Sequence, residues 1–314
     1  SKLTHCFYVC VTINRISDGV RRLETAKVQK PENRKKKRKS EQMKEQNTEP
    51  VYGFLGAGNM ASAIIGGIGG KNVCVYDVNP AQYEKFSDMP HVRTAATPRE
   101  CAEAARYLFL CVKPQNFEAL LTDLRDCDLR GKTVVSIAAG ISTDAICRCL
   151  GRQEAVIRTM PNTPLLIGRG VTALSRNALV SDADFAAVSE LFSACGAVFT
   201  LPEDKMNAVI AATSTAPAYV YLLISAIAHE AAREGVSPEG ADMTEMIARM
   251  VIGSAHMVLE SGKTPDELIT MVKSPKGTTE QALLSLERDG FCDVMARAMQ
   301  ACTARAEELG KTAL

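Results

Sequence analysis

Short apolar runs alternate with helical stretches between residues 51 and 202 of the chain. The runs occupy residues 51–55, 72–76, 107–112, 133–137, 156–158, 170–174 and 197–201. They are apolar throughout instead of alternating with polar positions, which is typical of parallel strands that are buried on both faces of a sheet. The pattern therefore predicts an α/β domain over residues 51–202, built on an all-parallel sheet.

The pattern changes at residue 203, where strand signals end and Ala, Met, Leu and Glu dominate. A long helical stretch at 205–234 contains Pro217, which predicts a bend or a break. Further helices are expected from Ser237-Pro238 to about residue 261, at 264–272, at 280–287 and at 290–309. Since these helices carry more apolar surface than one small bundle buries, residues 203–314 are interpreted as an all-α domain that packs against another subunit.

Charge separates the N-terminus from the rest of the chain. Residues 1–50 carry 13 Lys and Arg against 6 Asp and Glu, whereas the whole chain has a formal net charge of +1. Residues 34–39 are six consecutive cations, and such a block repels itself and stays solvated, so residues 1–50 are expected to form a basic, disordered extension. A nuclear-localisation or polyanion-binding tract and an organellar presequence are alternatives for this extension. The acidic remainder is not expected to bind nucleic acid.

Composition narrows the class of protein further. No run of about 18 uninterrupted apolar residues occurs, so no membrane-spanning helix is expected. The eleven cysteines include no CxxC pair and only four His are present, so no metal site is expected. Unpaired thiols are typical of a reducing compartment, and we expect a cytoplasmic protein.

The strongest motif follows the first predicted strand. The run Gly56-Ala57-Gly58-Asn59-Met60-Ala61 has the pattern G-x-G-x-x-A between a strand and a helix, which is the context of a dinucleotide-binding loop. Gly56 permits a tight turn, Gly58 lets a pyrophosphate approach the backbone, and Ala61 keeps the helix close to the sheet. The N–H groups that open the helix then face the anion. A plain glycine turn in a βαβ unit is the alternative.

An acidic residue, Asp77, ends the second predicted strand 21 positions after Gly56. A carboxylate there is placed to accept hydrogen bonds from the ribose hydroxyls of NAD and to repel a 2′-phosphate. This favours NADH, although Asn79 and backbone groups leave NADPH open. The small residues Ala138-Ala139-Gly140 close another strand and leave room for a flat ligand along the carboxyl edge of the sheet.

Six segments of the chain occur together, in the same order, in one enzyme family. They are Gly53-Phe54-Leu55-Gly56-Ala57-Gly58-Asn59-Met60-Ala61, Leu110-Cys111-Val112-Lys113-Pro114-Gln115, Val134-Val135-Ser136-Ile137-Ala138-Ala139-Gly140, Arg158-Thr159-Met160-Pro161-Asn162-Thr163-Pro164, Ala216-Pro217-Ala218-Tyr219 and Ser274-Pro275-Lys276-Gly277-Thr278-Thr279. Over these segments, which span about residues 51–309, the chain resembles the pyrroline-5-carboxylate reductase family. Members of that family catalyse the last step of proline synthesis.

The resemblance implies a Rossmann-like dinucleotide-binding domain followed by a helical domain that interlocks with a partner chain in a homodimer, often within a decamer. It implies reduction of L-1-pyrroline-5-carboxylate to L-proline by NADPH or NADH. It places the nicotinamide near Val112-Lys113-Pro114 and Ala138-Ala139-Gly140. The expected cofactor-binding residues are Phe54, Leu55, Gly56, Ala57, Gly58, Asn59, Met60, Asp77, Asn79, Cys111, Val112, Lys113, Pro114, Ala138, Ala139, Gly140 and Asn162.

The resemblance also places the substrate at a turn whose binding residues are Lys276, Gly277, Thr278 and Thr279. Main-chain N–H groups at the start of a helix suit the substrate carboxylate. The family pattern assigns Thr279 the hydroxyl nearest the ring nitrogen, so Thr279 is the predicted catalytic residue. Because a ring imine can arrive protonated, positioning and charge balance then supply most of the catalysis. Helix capping by Thr278 and Thr279 is the plainer interpretation of these hydroxyls.

The chain departs from the family pattern at three places in this site. Lys276 replaces a glycine of the substrate turn. Ser214 and Ala216 replace two glycines near the expected nicotinamide position, and Thr270 replaces an acid. These changes leave a non-catalytic NAD(P)-binding sensor as an alternative function.

A β-hydroxyacid dehydrogenase-like oxidoreductase is a second alternative, since that class also joins a dinucleotide domain to helices. It needs a catalytic Lys on a helix after a glycine-rich stretch, with an Asn shortly after. Lys205 and Asn207 are too close together for these roles and follow no such stretch.

Overall fold

The computed structural model describes residues 49–240 and 242–312, and the chain from residue 49 onward forms one compact unit. The predicted disordered extension over residues 1–50 lies outside the described residues, apart from its last two positions. The described chain begins with an α/β region that ends near residue 200 and continues as helices to residue 312.

An eight-stranded sheet forms the centre of the α/β region, with strand order β3-β2-β1-β4-β5-β6-β7-β8. The strands are β1 Tyr52–Leu55, β2 Val73–Tyr76, β3 Val92–Thr94, β4 Tyr107–Leu110, β5 Thr133–Ser136, β6 Ala155–Met160, β7 Gly170–Arg176 and β8 Gly196–Thr200. Five helices connect them: α1 Asn59–Gly67, α2 Pro98–Ala104, α3 Phe117–Asp123, α4 Thr143–Leu150 and α5 Asp182–Ser193. The carboxyl ends of β1, β2, β4 and β5 meet at one edge, where a ligand binds in sheets of this kind.

The expectation of an all-parallel sheet is wrong for the last two strands. β6 and β7 pair antiparallel, with Ile157 opposite Arg176 and Met160 opposite Ala173. The connection between them is short and holds only the 3₁₀ turn Thr163–Ile167. A parallel pair needs a crossover of about a dozen residues, so this connection permits only an antiparallel neighbour. β8 is parallel to β7 because helix α5 provides the crossover between them.

The inner strands are buried on both faces, as the uninterrupted apolar runs predict. On one face the rings of Phe54 and Phe109 stack with centroids 4.5 Å apart, in a cluster that includes Phe192 of α5. On the other face Leu55 and Leu108 pack in a second cluster with helices α2, α3 and α4. Burial of large side chains on both faces fixes the positions of the strand ends that carry the site.

The helical region contains five α-helices after a π-helical turn at Ile210–Ser214. They are α6 Ala216–Arg233, α7 Met243–Glu260, α8 Pro265–Val272, α9 Thr278–Arg288 and α10 Phe291–Thr312. The break predicted at Pro217 is confirmed, because Pro217 lies in the first turn of α6 directly after the π-helical turn. Proline is tolerated there since the first N–H groups of a helix have no intrahelical partner.

One helix start predicted from the sequence is wrong. Ser237-Pro238 precedes a turn in which Gly240 has φ of 70°, and α7 begins at Met243. Asp242 caps this helix, because its Oδ1 accepts a hydrogen bond of 3.2 Å from the N–H of Thr244. Thr97 caps α2 through its side chain, because its Oγ1 accepts from the N–H of Glu100 at 3.1 Å. Strand β3 and helix α5 were not predicted at all, and both are short or weakly apolar segments.

Ile210–Arg233 is long and apolar enough to cross a membrane, judged on length and composition, and it is the one such stretch among residues 49–240 and 242–312. Only 11% of its most apolar window is buried within the chain. A helix that a second subunit covers has the same composition.

Candidate active site

The glycine loop between β1 and α1 has the geometry that a dinucleotide needs. Gly56 has φ of 103°, and a Cβ at this position would lie 2.7 Å from the carbonyl oxygen of Cys111. Only glycine therefore fits, because the left-handed φ and the close approach of β4 both exclude a side chain. At Gly58 a Cβ would meet no atom within 4 Å, so the backbone is open to a ligand there. The first N–H groups of α1 point toward this opening, which suits a pyrophosphate.

A cleft of about 900 Å³ opens beside this loop at the carboxyl ends of β1, β2 and β4. The structure brings nine of the predicted cofactor-binding residues together in its lining: Leu55, Gly56, Gly58, Asn59, Asp77, Asn79, Cys111, Val112 and Lys113. Gln82, Gln115 and Asn116 also line it, and they were not predicted from the sequence. Burial raises the pKa of the Cys111 thiol well above its usual range, so this side chain is a neutral part of the wall.

The other predicted cofactor-binding residues do not line the cleft. They are Phe54, Ala57, Met60, Pro114, Ala138, Ala139, Gly140 and Asn162. The sequence motif predicts Phe54 as a cofactor-binding residue, but its ring lies in the core against Phe109. Ala57 is also buried, and its contribution to the loop is a backbone N–H.

Asp77 holds the glycine loop in place. Its Oδ2 accepts a hydrogen bond of 2.6 Å from the N–H of Ala57, and its Oδ1 accepts one of 2.8 Å from the N–H of Asn79. The hydroxyl of Tyr83 accepts from the N–H of Asp77 and donates to its carbonyl oxygen, both at 2.9 Å. The carboxylate of Asp77 thus connects the end of β2 to the glycine loop through hydrogen bonds. Its contact with a ribose stays a prediction.

The strand end at Ala138-Ala139-Gly140 meets the last helix of the chain. Gly140 has φ of 83°, and a Cβ at this position would clash with the carbonyl oxygen of Ala306 and lie 2.9 Å from the backbone nitrogen of Gly310. Glycine is therefore required at residue 140 for α10 to pack against the carboxyl end of β5. This contact makes the helical region one wall of the sheet edge that carries the cleft.

Asn162 positions the π-helical turn at the start of the helical region. Its Nδ2 donates to the carbonyl oxygen of Thr213 at 3.1 Å, and its Oδ1 accepts from the N–H of Val171 at 2.8 Å. The π turn is closed by a bond of 2.8 Å from the N–H of Thr215 to the carbonyl oxygen of Ile210. Both ends of the buried amide of Asn162 thus have protein partners, which gives this residue a supporting role beside the cofactor role predicted for it.

The two positions where side chains replace glycine lie at this turn. Ser214 Oγ is buried and has no hydrogen-bond partner among the described residues, and the same holds for the hydroxyl of Tyr219. Next to them the Oγ1 of Thr215 lies 3.2 Å from the Sγ of Cys302 on α10. Orphaned buried hydroxyls are costly, so they mark a place where a ligand or water would complete the hydrogen bonds.

A buried arginine that the sequence analysis did not single out ties β6 to the helical region. Arg158 is almost fully buried, and its Nη2 donates to the Oδ1 of Asn207. Burial lowers the pKa of this guanidinium, and the nearby carboxylate of Glu203 partly offsets that effect. Glu203 in turn accepts from the N–H and Oγ1 of Thr143 at 2.7 and 2.6 Å. No sequence pattern pointed to this contact, because its members are far apart along the chain.

The predicted substrate turn precedes helix α9, and Gly277 is the N-cap. A Cβ at Gly277 would meet the Oγ of Ser274, a hydroxyl that can rotate away, and would lie 3.0 Å from the carbonyl oxygen of Ser274, so glycine gives the loosest fit here. Lys276 has φ of 59°, and it is the one residue other than glycine with positive φ in the described part of the chain. Its N–H donates to the Oε2 of Glu280 at 2.7 Å. Thr278 and Thr279 lie in the first turn of α9 and neither is the cap, which weakens the capping interpretation of their hydroxyls.

Within one chain the turn and the cleft are separate features. All residues that line the cleft lie between 55 and 123, and none belongs to residues 274–279. The side chain of Lys276 is exposed. Residues 274–279 therefore do not extend the cleft of their own chain.

Comparisons with known proteins identify both regions. The family described as pyrroline-5-carboxylate reductase dimerisation matches residues 203–309. The family described as NADP oxidoreductase, coenzyme F420-dependent, matches residues 51–140. A pyrroline-5-carboxylate reductase from Escherichia coli is 36% identical over 270 residues, which cover 84% of this chain and 100% of that protein.

Solved structures agree in fold with this chain. A pyrroline-5-carboxylate reductase from Coxiella burnetii has a TM-score of 0.75 and 31% identity, covering 85% of this chain and 100% of that one. The Plasmodium falciparum pyrroline carboxylate reductase, solved with NADP bound, has a TM-score of 0.75 and 25% identity, covering 84% and 98%. The likeness extends across both the sheet and the helices.

Proposed function

Since the chain belongs to the pyrroline-5-carboxylate reductase family, we propose that it reduces L-1-pyrroline-5-carboxylate to L-proline with NADPH or NADH. The observation that carries the proposal is the open backbone at Gly58 in the wall of the cleft, in a chain similar along nearly its whole described length to reductases of this substrate. The residues present fit a dinucleotide, because Gly56 and Gly58 leave the space that a pyrophosphate occupies.

The chain's own part in the reaction is to bind and orient the two reactants. When bound, the reduced coenzyme supplies the hydride that adds to the C=N carbon of the cyclic imine. The N–H groups that open α1 hold the pyrophosphate, and Val112 and Lys113 border the nicotinamide half of the cleft. Alignment of this kind removes most of the entropic barrier to hydride transfer.

The substrate carboxylate is assigned to the start of α9. The N–H groups of Thr278 and Thr279 are free of intrahelical partners there, and the dipole of an 11-residue helix favours an anion. Lys276 adds a positive charge at the same turn. The hydroxyl of Thr279 is assigned to the ring nitrogen, where a hydrogen bond holds the protonated imine that accepts the hydride.

A homodimer is part of the proposal. Large apolar side chains are exposed along the helices of the region similar to the dimerisation family, including Tyr221, Leu222, Ile252, Leu259, Met271 and Val272. Exposed apolar surface of this extent is typical of a subunit interface. In the dimer, the substrate turn of one chain reaches the cleft of its partner, which supplies the missing half of the site. We also propose that the dimers assemble into a decamer, and the mass of the protein in solution tests this.

We also assign the protein to the cytoplasm. The nine cysteines in the described part of the chain are all free thiols, and most are buried. Free thiols persist in a reducing compartment. Imaging of the full-length chain fused to a fluorescent protein tests this, and signal in an organelle would overturn it.

Two features favour a non-catalytic NAD(P)-binding sensor as the second candidate function. They are the left-handed backbone of Lys276 and the orphaned hydroxyl of Ser214, both at positions where the family pattern has glycine. The dehydrogenase-like alternative loses support, because Lys205 lies in a short 3₁₀ turn with its ammonium 2.9 Å from the carboxylate of Asp204.

The test is turnover of pyrroline-5-carboxylate by the full chain with each coenzyme, followed by NAD(P)H absorbance. Thr279→Ala is expected to lower kcat/KM about tenfold or more, the scale of one lost hydrogen bond to a charged group. Thr200→Ala on β8, an exposed threonine outside the cleft and the substrate turn, is the matched control and should leave kcat/KM unchanged. Unchanged kinetics in Thr279→Ala would remove this residue from the site, and coenzyme binding without any turnover would favour the sensor.

A further inference from the structure

The turn before α9 has a lysine in a backbone conformation that favours glycine. Residues 274–277 form a β-turn, in which the N–H of Gly277 donates to the carbonyl oxygen of Ser274 at 3.0 Å. Pro275 is the second residue of this turn, and Lys276, the third, has φ of 59°. A β-turn with positive φ at its third residue is type II, which glycine adopts freely and a residue with a side chain resists. A further contact must therefore hold the lysine in this conformation.

Types I and II of the β-turn differ by a rotation of the peptide that joins their second and third residues. The ψ angle of the second residue is about −30° in type I and about +120° in type II. The peptide between Pro275 and Lys276 would therefore face opposite ways in the two types, and the N–H of Lys276 would turn with it. A lysine at the third position favours type I, because left-handed φ is disfavoured for residues with a side chain.

Glu280 supplies the contact that distinguishes the two types. Its Oε2 accepts a hydrogen bond of 2.7 Å from the N–H of Lys276. Glu280 is half-buried in the first turn of α9, so the helix holds its carboxylate beside the turn. A hydrogen bond to a charged acceptor is stronger than one between neutral groups, and this one exists only while the peptide faces Glu280. The carboxylate therefore selects the type II turn.

This hydrogen bond leaves the positive charge of Lys276 available for a ligand. Neither Lys276 nor Glu280 forms an ion pair within residues 49–240 and 242–312. The ammonium is thus not neutralised by the carboxylate that holds its own backbone. Because the backbone angles set the direction of a side chain, rotation of the peptide would redirect the lysine relative to the N–H groups that open α9.

We propose that Glu280 is a positioning residue of the substrate turn. It holds the peptide between Pro275 and Lys276 in the type II orientation and so directs the charge of Lys276 toward the substrate carboxylate. Glu280 acts through the backbone of Lys276 and does not itself touch the substrate. The inference rests on the proposed function, because that function places the substrate carboxylate at this turn. It explains how a lysine occupies a position where the family pattern has glycine.

The first experiment measures kcat and KM for pyrroline-5-carboxylate with the full chain at saturating coenzyme. Glu280→Ala is expected to raise KM about fivefold or more, the factor that corresponds to about 1 kcal/mol of left-handed strain. The value of kcat should change less than about twofold, because the bound substrate selects the competent turn at saturation. Glu280→Gln keeps an acceptor oxygen at the same position and should retain the KM of the wild-type chain.

Two further variants separate positioning from a general loss of stability. Glu100→Ala on α2 is the matched control, because Glu100 Oε2 accepts from the N–H of Ala96 at 2.8 Å over the same interval of four residues. It removes an equivalent contact at a residue without positive φ, and KM should stay within about twofold of the wild-type value. The double variant Lys276→Gly/Glu280→Ala should have the KM of Lys276→Gly alone, since glycine adopts the type II turn unaided.

Hydrogen exchange of the Lys276 amide, resolved by mass spectrometry, tests the contact independently of turnover. Exchange should be faster in Glu280→Ala than in the wild-type chain, because the amide loses its acceptor. Unchanged exchange, an unchanged KM, or an equal rise in KM in the Lys276→Gly background would each overturn the proposal. A wild-type chain without turnover would refute the proposed function, and the exchange rate would still decide whether Glu280 holds the turn.

Discussion

The sheet and the helices of this chain bury their apolar residues in different ways. Between β1 and β8 the large side chains of the inner strands, such as Phe109 and Leu108, are fully buried within the chain. On α6 and α7, Leu222 is 71% exposed and Ile252 is 57% exposed, although both are as apolar as the residues of the sheet. The sheet region completes its apolar core within one chain. The helical region needs another surface to cover its exposed apolar side chains.

The two halves of the proposed site are therefore stabilised separately. The predicted coenzyme cleft is framed by strands that an intramolecular core fixes in place. The predicted substrate turn is carried by helices whose own packing in a single chain is sparse, with Ala228, Met243 and Ile247 as one small buried cluster. Substitutions that act on one region should therefore leave the other measurably intact.

The largest effect is expected from a truncation in the sheet core. Phe109→Ala removes a ring that is fully buried and stacked on Phe54, and it should lower the free energy of unfolding by about 3–5 kcal/mol. Urea denaturation followed by circular dichroism measures this loss. The matched control is Phe199→Ala on β8, where the ring is 57% exposed and the cost should be under about 1 kcal/mol. Equal losses of unfolding free energy in the two variants would contradict the difference in burial between Phe109 and Phe199.

A charge on the helical face should separate the subunits without unfolding the sheet. Leu222→Arg places a cation on an apolar surface, and desolvating it without a partner should raise the dimer dissociation constant roughly a hundredfold. Light scattering coupled to gel filtration gives the mass as a function of concentration. Leu179→Arg is the control, because it makes the same substitution at an exposed leucine of the α/β region. It should leave the mass unchanged. A monomeric wild-type chain at micromolar concentration would refute the interface altogether.

Asp77→Ser tests the hydrogen bonds of Asp77 at the glycine loop. Loss of the hydrogen bond to the N–H of Ala57 should weaken both coenzymes by about tenfold, while loss of the negative charge should shift the ratio of the two dissociation constants toward NADPH. Fluorescence titration with NADPH and NADH supplies both numbers. An unaltered ratio would show that the carboxylate does not face the ribose. The oligomer should be unaffected, since Asp77 follows β2 in the α/β region and lies outside the helical face.

The smallest effect concerns the substrate turn. Lys276 has φ of 59°, a left-handed conformation that costs a residue with a side chain about 1 kcal/mol more than glycine. Lys276→Gly should accordingly raise the midpoint of thermal unfolding by a few degrees. Lys273→Gly is the control, because φ is −90° there and glycine should lower the midpoint instead. A lower midpoint for Lys276→Gly would mean that the lysine side chain stabilises the turn by contacts that outweigh the strain.

The sequence was most informative where a physical requirement acts locally. The glycine loop at Gly56 and the break at Pro217 are each set by residues within a few positions, and both were predicted. The antiparallel direction of β7 was missed because strand direction depends on the length of a connection and leaves no mark in the apolar pattern. The start of α7 was missed because Ser237-Pro238 matches a capping pattern as well as Asp242 does.

Parts of the site that depend on distant residues were not predictable in this way. The hydrogen bond from Asn162 to Thr213 joins residues 51 positions apart, and the contact of Arg158 with Asn207 joins residues 49 apart. Lys85 is separated from Ala57 by 28 positions along the chain, yet its Nζ lies 3.4 Å from the carbonyl oxygen of Ala57. Distance along the chain gives no sign of this contact, because the 3₁₀ helix at Pro80–Phe86 folds the lysine back onto the glycine loop.

The contact between Gly140 and Gly310 couples the first region to the end of the second. A methyl group on either residue would collide with the backbone of the other segment, so neither position tolerates a side chain while α10 packs against the end of β5. During synthesis the carboxyl end of β5 is made long before the segment of α10 that packs against it. A nascent polypeptide halted before residue 310 would thus hold the sheet edge at Gly140 without the helix segment that covers it.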